Sequence, residues 1–237
     1  MEKMSAEELR KKIYTNKNGE SCLHLSGKGL SKVPEAVCDL TELEGLDLSD
    51  HYLKELPTSF NKLKNLKTLR LNKNQLRELP RSICELSNLT MVSVSNNQLS
   101  VLPSNIKNLK NLRELFLRYN QLTTLPDEIG ELKELVGLDV SYNKLTVLSS
   151  HVKHLSELQV LDLRNNQLTT LPDEIGELKK LVGLPVAGNP LTWEEMRKVV
   201  RLQNKMKFYT DVRGKDMKCS LFVIYFMSCE WNKYWNK

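Results

Sequence analysis

The sequence is poor in aromatic residues, in clustered cysteines and in long apolar runs. Phenylalanine, tryptophan and tyrosine make up only 6% of its 237 residues, as expected when leucine fills the core. The five cysteines are scattered, which argues against a disulfide framework. The first twelve residues are charged and lack the apolar centre of a signal peptide. The apolar run at 221–227 is far shorter than the roughly 20 residues that span a bilayer, so we predict no transmembrane segment.

Charge is present in both signs but is unevenly placed along the chain. The net charge is +6, and residues 192–237 hold ten Lys or Arg against five Asp or Glu. Residues 1–191 hold 25 basic and 24 acidic residues and are therefore almost neutral. Because nucleic-acid binding requires a basic surface, this balance predicts no nucleic-acid partner along the larger part of the chain.

The chain has instead a repeat of 23 residues marked by asparagine. The grid asparagines are Asn74, Asn97, Asn120, Asn143, Asn166 and Asn189. Around them the sequence reads Leu-x-x-Leu-x-Leu-x-x-Asn-x-Leu, and the leucine alternation predicts a short strand with one buried face. Leu-Pro follows and predicts a short helix or 3-10 turn. We expect the grid side chains to satisfy backbone groups of adjacent turns, a structural role.

Two segments of this repeat pattern are identical. Residues 120–133 and 166–179 both read NQLTTLPDEIGELK, with an offset of 46 residues, or two repeats. This identity indicates the duplication of a two-repeat block. Because the copied segments include the turns, we do not expect the turns to encode a specific binding site.

These motifs resemble the leucine-rich repeat family in its 23-residue Leu-Pro-x-x-Ile-x-x-Leu version, and are similar to the repeats of intracellular Ras-suppressor and Scribble scaffolds. The resemblance covers residues 20–191, about seven full units and a partial last one. It implies an α/β solenoid: a curved right-handed β/α superhelix with a concave parallel β-sheet and short helical or 3-10 convex turns. It also implies that the concave sheet binds proteins. Secreted members usually carry cysteine-rich caps, so their absence favours a cytoplasmic setting.

Helical caps are predicted at both ends of the repeats. Residues 1–19 form the N-terminal cap, in which the capping box Ser5-x-x-Glu8 predicts a helix over 6–15 that covers the first repeat. Its alternative role is a docking helix. A second capping box, Thr192-x-x-Glu195, predicts a helix over 193–207 that seals the last repeat. The apolar face of this helix is predicted to comprise Trp193, Met196, Val199, Val200 and Met206. Its basic face has a second interpretation, contact with acidic lipid or an acidic partner.

The last 30 residues, 208–237, differ from the rest of the chain. They hold eight of its fifteen aromatic residues and match no repeat. One interpretation is an alternative C-terminus that replaces the continuation of a longer protein. Another is a membrane-interface anchor built on Trp231 and Trp235.

Residue patterns for catalysis and metal binding are missing. Residues 26–29 read Ser-Gly-Lys-Gly, which departs from the Gly-x-x-x-x-Gly-Lys-Ser/Thr of a phosphate-binding loop. His151 and His154 have a spacing that suits a metal, but no cysteine is near and a site needs a third ligand and a supporting shell. No Ser/His/Asp or Cys/His set falls on neighbouring grid positions. We therefore predict no catalysis, no cofactor and no metal site.

Strand residues that point away from the leucines form columns about 4.8 Å apart across the repeats. Most are small or polar, and the exceptions cluster in repeats five to seven. The predicted partner-binding residues are Phe116, Arg118, Tyr119, Asp139, Tyr142, Asp162 and Arg164. Exposed aromatic residues and arginine dominate binding hot spots, and the adjacent Asp139 and Asp162 are expected to meet a lysine or arginine of the partner. The alternative is that the aromatic residues pack together without a partner. Arg70 and Lys73 form a smaller, basic second surface.

These observations predict a non-enzymatic, monomeric, cytoplasmic protein that presents its concave sheet to another protein. The resemblance implies a scaffold or adaptor role in signalling. Two alternatives stay open: the ligand-recognition part of an immune receptor or effector, and an enzyme subunit whose catalytic domain lies beyond residue 208. A nucleotide-binding, kinase or death domain joined to the chain would favour the receptor.

Overall fold

Short strands lie side by side in one sheet, one strand at each Leu-x-Leu segment. The computed structural model describes residues 5–27 and 29–212. The strands are β1 (Tyr14–Thr15), β2 (Ser21–His24), β3 (Gly45–Asp47), β4 (Thr68–Arg70), β5 (Met91–Ser93), β6 (Glu114–Phe116), β7 (Gly137–Asp139) and β8 (Val160–Asp162). Strands β2 to β8 are parallel and follow chain order, whereas β1 pairs with β2 in the antiparallel sense. A bridge between Val160 and Gly183 continues the pattern into the last, partial unit.

From β2 to β7, each strand residue pairs with the residue that lies 23 positions later. Leu46 faces Leu69, and Leu115 faces Leu138, so the leucines of successive repeats are stacked. These leucines are buried, and with the apolar residues of the turns they form one core that runs through all the repeats. The arrangement confirms the predicted leucine-rich repeat solenoid. One strand and one turn cannot bury their own leucines, so the stack itself is the source of stability.

The chain returns from each strand through a short helical turn. The 3-10 turns are Thr58–Lys62, Ile83–Glu85, Ser104–Asn108, Asp127–Glu131, Ser150–His154 and Asp173–Glu177, and the first repeat has an α-helix, α2 (Glu35–Cys38). Most of these turns directly follow a proline, whose ring fixes φ near the value that a helix start needs, as Pro126 does at −66°. Ser149 replaces that proline in one repeat with φ −63°, and its hydroxyl accepts a hydrogen bond from the His151 amide at 3.2 Å.

The grid asparagines lie between repeats, and their side chains bond to the backbone on both sides. The Asn120 carbonyl accepts a hydrogen bond from the Leu99 amide at 3.0 Å, and its NH2 group donates to the Val94 and Leu117 carbonyls, both at 2.9 Å. The same three contacts recur at Asn74, Asn97, Asn143, Asn166 and Asn189. Each asparagine thereby joins its own repeat to the one before it.

The N-terminal cap is a shorter helix than the sequence predicts. Helix α1 spans Ala6–Arg10, so the predicted helix over 6–15 is wrong beyond Arg10. The capping box is confirmed: the Ser5 hydroxyl accepts from the Glu8 amide at 3.2 Å, and the Ser5 amide donates to the Glu8 carboxylate at 2.8 Å. Tyr14–Thr15 instead forms β1, because pairing with β2 covers a sheet edge that would otherwise be open. Leu9 is buried against the core.

The first two repeats depart from the asparagine rule, at grid positions 28 and 51. His51 takes the grid position, is buried, and accepts a hydrogen bond through Nδ1 from the Leu30 amide at 3.3 Å. A histidine nitrogen thus performs one part of the asparagine's role. The other atypical grid position, residue 28, lies outside the described residues, so no contact is assigned to it.

The C-terminal cap, α3, spans Trp193–Val212 and is longer than the predicted 193–207. Its predicted apolar face is largely wrong, because Trp193 is 85% exposed, and Met196 and Val200 are exposed as well. The rotation of the helix is set by Val199, which is buried, and by Leu202, which packs against the core. The Met206 side chain and residues 213–237, with Trp231 and Trp235, lie outside the described residues.

The second capping box is only half formed. The Thr192 hydroxyl accepts a hydrogen bond from the Glu195 amide at 3.2 Å. The Glu195 carboxylate does not return to Thr192 but accepts from the Leu171 amide at 3.1 Å. Lys198 forms an ion pair with Asp173 at 2.5 Å, which joins the helix to the last 3-10 turn. These contacts fix α3 against the end of the repeats.

Candidate protein-interaction surface

The sheet register brings the predicted residues of three neighbouring repeats together on the concave face. Phe116, Asp139 and Asp162 pair in sequence across β6, β7 and β8. The column two positions later holds Arg118, Ser141 and Arg164, and the column after that holds Tyr119, Tyr142 and Asn165. The predicted adjacency of the two aspartates is therefore observed, and the aromatic and arginine side chains lie beside them.

Arg118, Tyr119 and Tyr142 form one packed unit, which we call the tyrosine cluster. The two tyrosine rings have centroids 4.3 Å apart and planes tilted by 32°. The Arg118 guanidinium lies over both rings, 4.7 Å from the Tyr119 centroid and 4.6 Å from the Tyr142 centroid. Its Nη2 also donates a hydrogen bond of 3.3 Å to the Tyr119 hydroxyl. The rings thus do pack together, yet Tyr119 remains 41% exposed, so this packing leaves an aromatic and cationic surface open.

Both tyrosines lie on left-handed backbone, with φ 54° at Tyr119 and 55° at Tyr142. The residue before each grid position shares this conformation; the others are Gly27, Asp50, Lys73, Asn96, Asn165 and Gly188. Positive φ is common for glycine and tolerated by asparagine and aspartate, but it is costly for a bulky side chain. Sequence reasoning missed this strain, although the Gly, Asp and Asn content of the column indicates it. The conformation recurs in each repeat and thus belongs to the fold, and the two adjacent tyrosines, like Lys73, are the residues that bear its cost.

Asp162 is fully buried, and its carboxylate is bound by the guanidinium of Arg164. The guanidinium Nε lies 3.0 Å from both carboxylate oxygens, and Nη2 lies 2.5 Å from Oδ2. The Arg164 amide donates a further bond of 3.0 Å to Oδ1. This pairing raises the pKa of Arg164. The expectation that Asp162 meets a partner's cation is therefore wrong, since that position is filled from within the chain and only Arg164 reaches the surface.

Asp139 lies beside this pair but has a different environment. Its Oδ1 accepts hydrogen bonds from the Ser141 amide at 2.9 Å and the Ser141 hydroxyl at 2.6 Å. It forms no ion pair with any residue of 5–27 or 29–212. Burial raises its pKa to about 6, the Ser141 hydroxyl opposes the rise, and the nearby Asp162 adds to it. Asp139 is therefore a buried carboxylate with no opposite charge bound to it.

Two side chains at the edge of this surface, Phe116 and Glu114, are half-buried. Phe116 is half-buried, not exposed as the sequence predicts. Glu114, which sequence reasoning missed, is also half-buried on β6, and burial raises its pKa. Alignment of the repeats could have found it, because the residues that pair with Glu114 on the neighbouring strands are Met91 and Gly137, and a carboxylate is unusual at this position.

The second predicted surface, Arg70 with Lys73, is less basic than its sequence indicates. Arg70 is half-buried, and burial lowers its pKa, while the acidic Asp47 and Glu114 oppose that effect. Lys73 is exposed on left-handed backbone. Of the two residues, Lys73 is therefore the one that presents an exposed cation.

A serine, a histidine and an aspartate meet on the convex side, but their geometry does not match a catalytic triad. The Ser149 hydroxyl lies 3.1 Å from His151 Nδ1, and the Asp127 carboxylate lies 3.2 Å from the same nitrogen. A triad needs the two partners on opposite ring nitrogens, so no proton relay runs through this histidine. In the described part of the chain, no group of three His, Cys, Asp or Glu could hold a metal ion. No helix of that part is long and apolar enough to cross a membrane.

Comparison with known proteins shows similarity to proteins of several kinds. A leucine-rich repeat protein of Leptospira interrogans is 38% identical, with a TM-score of 0.68 over 72% of this chain and 49% of its own. The plant peptide hormone receptor RGFR1, in complex with RGF2, is 29% identical, with a TM-score of 0.65 over 72% and 28%. An internalin of Listeria monocytogenes is 24% identical, with a TM-score of 0.69 over 77% and 52%, and shows the fold alone. The chain spans about half of the length of the leptospiral protein and of the internalin, and 28% of the length of RGFR1.

A family profile described as leucine-rich repeat region matches residues 62–143 and 104–184, together more than half of the chain. These residues contain strands β4 to β8 and the grid from Asn74 to Asn166. The same 23-residue register therefore underlies the match and the stacked core. On this basis the chain belongs to the leucine-rich repeat family.

Proposed function

We propose that the chain is a non-catalytic, monomeric protein-binding module that presents the concave face of repeats five to seven to a protein partner. The binding surface is the tyrosine cluster, flanked by Phe116 and Asp139 on one side and by Arg164, held by Asp162, on the other. The single observation that carries the proposal is the strained, partly exposed tyrosine pair under Arg118. Strain of this kind is retained where function requires it.

The contacts within the tyrosine cluster offset the cost of its left-handed backbone only in part or just about fully. Each non-glycine residue on left-handed backbone costs on the order of 1–3 kcal/mol. Stacking of the rings returns about 0.5–1.5 kcal/mol and the cation–π contact about 0.5–1 kcal/mol, so the cluster contributes little net stability. Glycine, asparagine and aspartate, which tolerate this backbone, occupy five of the six other positions of the column, and Lys73 occupies the sixth. Tyrosine and arginine are also the types that dominate hot spots, so recognition accounts for them better than stability does.

The resemblance to intracellular repeat scaffolds extends the proposal to a cytoplasmic scaffold or adaptor in signalling. The neutral charge balance of residues 1–191 is consistent with a protein rather than a nucleic-acid partner. A second candidate is ligand recognition within a receptor, favoured by the likeness to RGFR1, whose structure contains RGF2. Acidic lipid at α3 is a lesser proposal, resting on its exposed Arg197 and Arg201.

Affinity capture from cell extract tests the assignment. The bait is the whole chain, as wild type and as the Arg118→Ala/Tyr142→Ala double variant. Truncation of a hot-spot residue costs about 2 kcal/mol or more, so the double variant should bind its partner on the order of 1000-fold more weakly. The double variant keeps the left-handed backbone at residue 142 and loses the ring stack and the cation–π contacts, so it should be less stable than the wild type by about 1–3 kcal/mol. Capture is therefore compared at a temperature at which thermal unfolding shows both proteins to be folded.

A matched control uses the same residue types outside the concave sheet. Tyr52 and Arg77 are both exposed, and Tyr52→Ala/Arg77→Ala should leave capture unchanged. If the Arg118/Tyr142 variant retains the same specific partners as the wild type, the binding surface lies elsewhere. If both double variants lose capture equally, the effect is not specific to the tyrosine cluster, and the assignment fails as well.

A further inference from the structure

We infer that Asp139 is the position at which the partner inserts a basic side chain, a lysine or an arginine, into the concave face. The inference rests on the proposed function, because it names the chemistry that the same surface recognises. It also distinguishes the two adjacent aspartates, of which only one is open to a partner.

The two oxygens of the Asp139 carboxylate have unequal numbers of hydrogen bonds. Its Oδ1 accepts both Ser141 bonds, whereas its Oδ2 accepts no hydrogen bond from the described part of the chain. The residue is 8% exposed, and it lies on the sheet face that is open to solvent. A carboxylate has about four acceptor sites, so Asp139 keeps unused acceptor capacity at the surface. Lysine and arginine supply the charged donors that suit such an oxygen.

The two arginines near Asp139 are held by other side chains. On β8, Arg164 is held by Asp162 through three guanidinium contacts. In the repeat of β6, Arg118 is held over the tyrosine rings and donates to the Tyr119 hydroxyl. Both nearby cations thus have other contacts. Asp162 raises the pKa of Asp139, Arg118 lowers it, and the effect of Asp162 is the larger. These two neighbours together therefore disfavour the ionised form of Asp139, although the four side chains carry equal numbers of positive and negative charges.

The ionised Asp139 carboxylate is costly to keep buried without an ion-pair partner. A buried charge without an opposite charge is unfavourable, and an incoming cation offsets that cost in the complex but not in the free protein. A partner with a neutral residue at this place would bury the carboxylate further without compensation. Discrimination of this kind selects a basic residue more strongly than an exposed acidic residue can. Phe116, the neighbour of Asp139 on β6, provides apolar surface for the aliphatic part of such a side chain.

The test measures cation recognition directly, without the unknown partner. The carboxyl carbon of Asp139 is followed by NMR during a pH titration of the whole chain. The probes are Nα-acetyl-lysine N-methylamide and Nα-acetyl-arginine N-methylamide, which keep their side-chain charge. The neutral probe is N-acetyl-norleucine methylamide. If the probe binds only the ionised carboxylate, a probe concentration of about ten times the dissociation constant should lower the pKa of Asp139 by about one unit. The neutral probe should leave it unchanged, and the two cations show whether lysine or arginine is preferred.

Variants complete the test. Asp139→Asn should abolish the probe-induced signal changes of Tyr142 and Ser141, while Asp50→Asn, which removes an exposed charge from a distant repeat, should not. Equal effects of charged and neutral probes, or no effect of either cation, would overturn the inference. The wild-type comparison does not depend on the folding of any variant. Since the capture experiment reports on the tyrosine cluster, its failure is distinguishable from a failure here.

Discussion

Replacing Tyr142 with asparagine should remove part of the binding surface without a loss of stability. The tyrosine lies on left-handed backbone with φ 55°, and the neighbouring repeat has Asn165 in the same place with φ 53°. Asparagine adopts this conformation readily because its side chain can bond to the local backbone. The substitution therefore relieves strain at the cost of the ring contacts with Tyr119 and Arg118.

The magnitudes predict that these two effects nearly cancel. Relief of the left-handed strain contributes about 1–2 kcal/mol. Loss of the ring stack costs about 0.5–1.5 kcal/mol, and loss of one cation–π contact costs about 0.5–1 kcal/mol. The Tyr142→Asn variant should thus lie within about 1 kcal/mol of the wild type. Tyr142→Ala loses the same contacts and keeps the strain, so it should be less stable than Tyr142→Asn by about 1 kcal/mol.

Urea unfolding of the three proteins checks the order, and thermal unfolding should show a difference of about 2–4 °C between the two variants. Both variants should lose partner capture to a similar degree, because both lack the ring. An alanine variant as stable as the asparagine variant would refute the strain argument. If Tyr142→Ala loses partner binding and Tyr142→Asn keeps it, the ring is not required for recognition, and the assignment of Tyr142 to the binding surface is wrong.

Two further predictions concern the ladder and the buried carboxylate. Asn120→Ala leaves the Leu99 amide and two carbonyls without their side-chain bonds and should cost about 2–4 kcal/mol in urea unfolding, whereas the exposed Asn111→Ala, with one bond to the Ser87 carbonyl, should cost less than about 1 kcal/mol. Burial raises the pKa of Asp139 from its ordinary value of 3.8 to about 6 in the folded protein, so wild-type stability should fall by about 3 kcal/mol as the pH rises through that window. Asp139→Asn should lack this fall, and parallel stability curves of the two proteins would contradict the assignment.

The sequence was sufficient to predict the stack of repeats, because one period fixes every pairing. From β2 to β8, a residue and its neighbour across the sheet are 23 positions apart, so Leu115 and Leu138 can be paired without knowledge of any side-chain angle. The antiparallel pairing of β1 with β2 lies outside this rule and was not predicted. The same count placed Asp139 beside Asp162 and identified the concave columns. This success depends on the repeats having equal length, since a single insertion would shift every later pair.

Predictions that depend on side-chain direction were less successful. Arg164 turns toward Asp162 while Arg118 turns toward the tyrosines, although both occupy the same column. That choice is decided by which neighbour offers a carboxylate and which offers a ring. The exposure of Trp193 has a similar cause, because helical spacing gives the residues of a face but not the rotation of that face. Contacts at the last repeat determine the rotation.

The asparagine ladder has a consequence for how proteins of this type can change in length. Each side-chain carbonyl of the ladder accepts from the residue 21 positions before it, and each NH2 group donates 26 positions before it. Every bond is thus defined by distance along the chain rather than by the identity of a particular partner. Inserting or deleting whole units of 23 residues leaves all such bonds intact. The spacing between the tyrosine cluster and the N-terminal cap can therefore vary in steps of one strand while the local geometry of recognition stays the same.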